Sequence, residues 1–198
     1  MQKFIEKKFN IGELKGISAK NIEEHLKLYA GYVKNTNLIL SMIEMYGKVD
    51  DEGGKYSVSE ITRRFAFEFC GMRNHEYYFA SLENGAKNLA EDSELKKQIE
   101  KDFGSFENWL TRFKTVAMTR GVGWAILFYD KQSGQLLNQW VDEHHLGQLV
   151  STSPILCLDM WEHAYLYDYP TSEKKKYIDA FFENLNWEVI EENFKKAQ

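Results

Sequence analysis

The reading of this chain turns on Pro154-Ile-Leu-Cys-Leu-Asp-Met-Trp-Glu-His-Ala-Tyr165. Asp159 closes an otherwise apolar run that reads as a buried strand. A carboxylate in that place is expected to be buried, and a buried charge must be paired or bound to a metal. His163 follows four residues later, flanked by Trp161 and Tyr165. A strand end running into a turn can converge the two side chains on one point. Asp and His four apart is a weak pattern, and it suits a structural hydrogen-bonded pair as well as a metal site.

Upstream, residues 19–48 read as a long helix, with Ile22, Leu26, Tyr29 and Val33 at helical spacing and Ser18 as a cap. Residues 47–55, with Gly47, Gly53 and Gly54, read as a turn. A second long helix is expected from 57 to 82, closing at Asn84-Gly85, which makes an antiparallel helical hairpin. Short helices are expected over 91–102 and 105–119. WAILFYD (124–130) and QLLNQWVDE (135–143) read as strands joined at Lys131-Gln132-Ser133-Gly134, and PILCLDM (154–160) as a third. The C-terminal part, with Tyr177, Phe181 and Leu185, reads as helical. The fold class is therefore α+β: a helical hairpin domain over 1–88, then an α/β domain over 89–198 with a small three-stranded antiparallel sheet.

The 198 residues are 43% hydrophobic and 15% aromatic, enough for a packed interior rather than a disordered chain. A net charge of -5 argues against a nucleic-acid partner, and no run is long and apolar enough for a membrane span. Cys70 and Cys157 sit apart in apolar surroundings, as reduced thiols do. With no signal-peptide core at the N-terminus, the expected compartment is the cytoplasm.

The chain has five histidines, at 25, 75, 144, 145 and 163. Taken singly, His25 on the first helix and His75 on the second suit ordinary core or surface positions. Taken with Asp159 and His163, they make three imidazoles and one carboxylate between the two domains. That mixed set suits iron or manganese and lacks the thiolates of structural zinc sites.

DMWEHAYLYDY (159–169) closely resembles the D-x-W-E-H-A-Y-Y-x-D-Y signature of the iron/manganese superoxide dismutases. ISAKNIEEH (17–25), RNHEYYF (73–79), FGSF (103–106), GVGW (121–124) and FFENLNW (181–187) resemble further segments of that family, in its order. The resemblance runs from about residue 17 to the end. It implies one Fe or Mn ion per subunit, held by His25, His75, Asp159 and His163. It implies an enzyme that converts superoxide to oxygen and hydrogen peroxide, and a homodimer or possibly a tetramer. Trp124 and Trp161 fall on aromatics that wall the metal pocket, and Glu162 on a glutamate that reaches the partner subunit's site. The residue that hydrogen-bonds metal-bound solvent comes in this family from a helix or from the sheet. The helix position is Gly71, so the expectation moves to the sheet, at His144 in preference to His145.

The chain also departs from the family pattern. The first-helix motif lacks its second pair of histidines and is one residue shorter between His25 and Tyr32-Val33. Tyr32 is the candidate gateway tyrosine, about 20° around an ideal helix from His25; Tyr29 shares that face. Leu166 replaces a tyrosine that would pair with one of the missing histidines, and the segment after Tyr169 lacks the usual Asn and Arg. A metal-binding relative without turnover is the alternative reading.

Overall fold

The computed structural model describes residues 2–198. Helices α1 (Ala19–Tyr46) and α2 (Glu52–Ala80) form the expected antiparallel hairpin. Ser18 starts α1 by accepting the Asn21 N–H, which satisfies one of the unpaired donors of the first turn. The second helix begins five residues earlier than its glycines suggested. Asp51 accepts the Gly54 N–H at 2.7 Å, and this cap draws Gly53 and Gly54 into the first helical turn. Because the helices run antiparallel, His25 near the start of α1 and His75 near the end of α2 lie at the same end of the hairpin.

Helices α3 (Glu94–Phe103) and α4 (Phe106–Ala117) lead into strands β1 (Gly123–Asp130), β2 (Gln135–Asp142) and β3 (Thr152–Asp159). The sheet is antiparallel in the order β2-β1-β3. Residues 123–129 of the central strand are all buried, so its apolar run shows no alternation. Helices α3 and α4 pack on β2, and α2 and α6 pack on β3. Trp124 pairs with Asp159 across the β1–β3 ladder, which puts the two side by side at one end of the sheet. That end meets the His25/His75 end of the hairpin, since α2 packs against β3.

A single 3₁₀ turn (Glu162–Ala164) follows β3 and carries His163. The C-terminal part, expected as helical, is two helices: α5 (Lys174–Glu183) and α6 (Trp187–Ala197). Asn186 separates them by capping the Glu188 N–H. Among the described residues, no helix is long and apolar enough to cross a membrane.

Candidate metal centre

One donor atom from each of His25, His75, Asp159 and His163 lies within 4.8 Å of every other. The convergence is tightest on a single atom, Oδ2 of Asp159. The Nε2 atoms of His25, His163 and His75 stand 3.1, 3.2 and 3.4 Å from it. Oδ1 of the same carboxylate accepts the Trp161 backbone N–H at 2.8 Å, and this holds the carboxylate plane. Tyr177 fixes the strand end by donating to the Asp159 carbonyl at 2.9 Å. His25, His75 and Asp159 are fully buried, whereas the His163 side chain keeps 20% of its exposure.

The hydrogen-bond pattern says what this cluster needs. Nδ1 of His75 stands 2.6 Å from the Gly71 carbonyl, one helical turn back. A carbonyl only accepts, so Nδ1 carries the proton and Nε2 of the neutral ring is a bare lone pair. That lone pair is buried, has no hydrogen-bond partner among the described residues, and faces a carboxylate oxygen. In His25 the other nitrogen is the orphan: Nδ1 is buried without a partner among the described residues, while Nε2 stands 3.1 Å from Asp159 Oδ2. Two buried acceptors pointed at each other are unfavourable unless a cation lies between them. An imidazole whose outer N–H is spent on a backbone carbonyl is the usual posture of a metal ligand.

The electrostatics agree. Burial, followed in order by interactions that include the neighbouring His25, holds the His75 imidazole well below its ordinary value; burial also lowers His25. Both rings are therefore neutral lone-pair donors. Burial works against ionisation of Asp159, but His163 and His25 outweigh it and keep the carboxyl well below the usual carboxylate range. Three imidazole nitrogens, one anionic oxygen and no sulfur fit an iron or manganese ion.

Around this cluster the other expected residues separate clearly. Both His144 and His145 lie beyond β2, in a turn that starts at Glu143 with φ +51°, and not on the strand. Strand alternation therefore does not distinguish them. His144 is fully buried and stacks on Trp161, with ring centroids 4.7 Å apart. His145 is half-buried, meets Phe67 edge-on at 5.8 Å, and has its Nδ1 3.9 Å from Glu143, with no hydrogen-bond partner among the described residues. Trp124 Nε1–H donates to His144 Nδ1 at 3.0 Å. Indole can only donate, and burial lowers the His144 ring to about 4, so the ring is neutral and its proton sits on Nε2. Nε2–H then donates to the Tyr32 hydroxyl at 2.6 Å. The tautomer is assigned by the network, and it leaves the Tyr32 proton free to be donated elsewhere.

Tyr32 stacks on His75 at 5.0 Å and 29°. Tyr29 points the other way: its hydroxyl accepts the Lys7 N–H at 2.9 Å and donates to Glu76 at 3.4 Å. Trp124 and Trp161 line the cluster, at 5.0 Å from His75 and 5.7 Å from His163 respectively. Glu162 is exposed on the 3₁₀ turn beside Leu166.

Three further residues belong to the site. Phe67 lies 4.6 Å from the His144 ring and 6.2 Å from Tyr32. Asn74 donates to the His144 carbonyl at 3.1 Å and fixes the turn. Gly71 leaves the space that Tyr32 fills, since a Cβ there would stand 2.7 Å from Tyr32 Cδ1. Position 71 offered a hint in the sequence, as a glycine inside a helix, and Asn74 stood in the segment RNHEYYF; Phe67 offered none without the fold.

Comparison with known proteins agrees with this geometry. Residues 91–193 match the family model described as iron/manganese superoxide dismutases, C-terminal domain. The chain is 38% identical over 188 residues to "Superoxide dismutase [Fe]" of Aquifex pyrophilus, covering 93% of this chain and 87% of that protein. It is 36% identical over 169 residues to "Superoxide dismutase [Mn]" of Haloarcula marismortui, covering 85% and 80%. With half the chain inside the family model and nearly all of it aligned to such relatives, the chain belongs to the iron/manganese superoxide dismutase family.

Proposed function

We propose that this chain is a superoxide dismutase in which His25, His75, Asp159 and His163 hold one iron or manganese ion per subunit. The observation that carries the proposal is the buried, unpartnered Nε2 of His75 facing Oδ2 of Asp159. An iron or manganese ion held by these four residues would supply the one-electron exchange by which two superoxide ions and two protons become oxygen and hydrogen peroxide.

The protein's own share is orientation and proton supply. Asp159 offsets part of the ion's charge, and the Gly71 carbonyl keeps the His75 lone pair aimed inward. Trp124 sets the His144 tautomer, and His144 in turn makes the Tyr32 oxygen an acceptor and its O–H a donor. Burial and the Asp159 charge push the Tyr32 phenol well above its ordinary value, so it keeps its proton at neutral pH. Tyr32 is accordingly the gateway donor, and Trp124, Trp161 and Phe67 exclude bulk water.

The chain divides near residue 88, with the metal site between the helical and α/β parts. A homodimer is favoured by the exposure of Leu166 (48%) and Tyr167 (61%) next to exposed Glu162. In such a dimer Glu162 of each copy reaches the other copy's His163; a tetramer would extend it. Two unpaired cysteines support a cytoplasmic setting.

The test is metal analysis of the purified protein, then removal of metal, reconstitution with Fe or Mn separately, and measurement of superoxide consumption. Activity with at least one metal, near one ion per chain, is expected. Stoichiometric metal without activity would overturn the dismutase assignment and favour the non-catalytic relative.

A further inference from the structure

A dismutase with a net charge of -5 must draw an anion against its own field, so the approach to the metal pocket needs a local cation. The segment after Tyr169, Pro170-Thr171-Ser172-Glu173, carries no arginine. Lys174, Lys175 and Lys176, which follow it, are engaged by the Thr119 carbonyl, Asp179 and Glu173, and a cation against the pocket wall stands on another element. On α2, the Arg64 guanidinium lies 3.5 Å over the centre of the Phe67 ring. The opposite edge of this pair leads straight to the site, because Phe67 is 4.6 Å from His144, 6.2 Å from Tyr32 and 6.4 Å from Trp161. Arg64, Phe67 and the Tyr32–His144 pair thus form one continuous wall from solvent to the buried histidines.

We propose that Arg64 is the steering residue of this site, presenting a fixed positive charge at the pocket entrance to small anions, superoxide among them. The inference rests on the dismutase reading for its substrate, though not for its anion selectivity.

Two contacts hold the guanidinium in place. A cation over an aromatic face is attracted by the ring quadrupole. Four residues on, Glu68 lies 3.6 Å from the guanidinium. The Glu68 side chain is only 10% exposed and accepts from Asn35 at 3.3 Å, while Arg64 is 53% exposed. The pair is oriented with its negative end inside and its positive end in solvent. Neighbouring Arg63 is committed to Glu60 at 2.8 Å. Arginine suits the task better than lysine in one respect, since its planar group stacks on the ring and stays charged at every working pH.

The test compares wild type with Arg64→Gln, Arg64→Glu and Arg64→Lys, each loaded with metal to equal content and checked for an unchanged melting temperature. Two quantities are read against ionic strength: kcat/KM for superoxide, and the dissociation constant of azide from an optical titration. At about 10 mM salt, Arg64→Gln is expected to lower kcat/KM about threefold and Arg64→Glu about tenfold, with azide weakened in parallel. Both differences should shrink toward unity at about 0.5 M salt, and Arg64→Lys should retain most of the wild-type value. Arg64→Gln matching wild type in both readouts at low salt would overturn the inference. So would Arg64→Lys behaving like Arg64→Gln with no salt dependence, because Arg64 would then serve only to pack Phe67. A wild-type protein that binds azide but does not dismute superoxide would overturn the dismutase reading alone, and the azide series would still decide the role of Arg64.

Discussion

Gly71→Ala tests whether the glycine in α2 exists to seat Tyr32. In an isolated helix interior the change should stabilise by about 1 kcal/mol, because alanine loses less backbone freedom on folding. Here the new methyl would lie 2.7, 2.9 and 3.1 Å from Cδ1, Cε1 and Cγ of Tyr32. The ring has little room to yield. It is stacked on His75 at 5.0 Å, meets His144 edge-on at 4.7 Å, and is tied to His144 Nε2 through its hydroxyl. Overpacking at such a site costs about 1–3 kcal/mol, and losing the hydroxyl bond adds about 1 kcal/mol. The net expectation is a loss of about 1–3 kcal/mol once the helical gain is subtracted. In a Tyr32→Ala background the obstruction is gone, and the same substitution should stabilise by about 1 kcal/mol. Urea denaturation of the four proteins gives the coupling directly, expected at about 2–4 kcal/mol. Equal effects of Gly71→Ala in both backgrounds would refute the reasoning. Turnover should fall by up to about 100-fold in the single variant while metal content holds, since a displaced hydroxyl no longer lies where the proton is needed.

Trp124→Phe should cost about 1–3 kcal/mol, because His144 Nδ1 is left buried without its donor. Nitrogen NMR of the His144 ring should then report a mixture of tautomers in place of one, and a ring still protonated only on Nε2 would contradict the role given to the indole. His144 has a folded value of about 4 against about 6.5 unfolded, so as pH falls the unfolded chain takes up the proton first. Its contribution is complete above pH 6.5 and is lost as pH drops toward 4, by about 3 kcal/mol in all. Denaturation of metal-free wild type and His144→Gln across that range should show the steeper loss in wild type, and parallel curves would count against a buried neutral ring. Asp159→Asn keeps the shape but removes the charge that faces three imidazoles. Changes to residues that merely support ligands cost about 10–100-fold in metal affinity, and a ligand should exceed that. Retention of a full complement of metal after dialysis against a chelator would remove Asp159 from the ligand set.

The four clustered residues were legible in the sequence through the family segments that carry them, and the elements gave a physical reason for their meeting. A carboxylate at the end of an apolar strand, and imidazoles at matching ends of two antiparallel helices, are placed by burial and by helix geometry before any contact is known. The three-stranded sheet was legible for a similar reason, since β-rich runs bounded by Gly-containing turns leave few alternatives. What lay beyond the sequence depends on partners remote along the chain. Tyr29 and Tyr32 share a helix face with His25. They differ because the N-terminal segment brings Lys7 to one hydroxyl and the turn after β2 brings His144 to the other.

The choice between His144 and His145 shows the limit most sharply. Alternation along a strand is a sound rule, but β2 stops at Asp142, and Glu143 turns the chain left-handed before either histidine. Past that point the inward residue is selected by what can receive it. Trp124, brought there by its register with Asp159, offers an indole N–H to a ring nitrogen, and Asn74 binds the carbonyl of the same residue. Trp161 supplies the face on which the ring stacks. These three residues sit on β1, α2 and the turn after β3, and each is placed by the same packing that assembles His25, His75, Asp159 and His163. The orientation of the proposed donor, Tyr32, is therefore a consequence of how the four-residue cluster is built. Without the further helix histidines of the family pattern, the fold still holds His144 and Tyr32 in register with the buried His75.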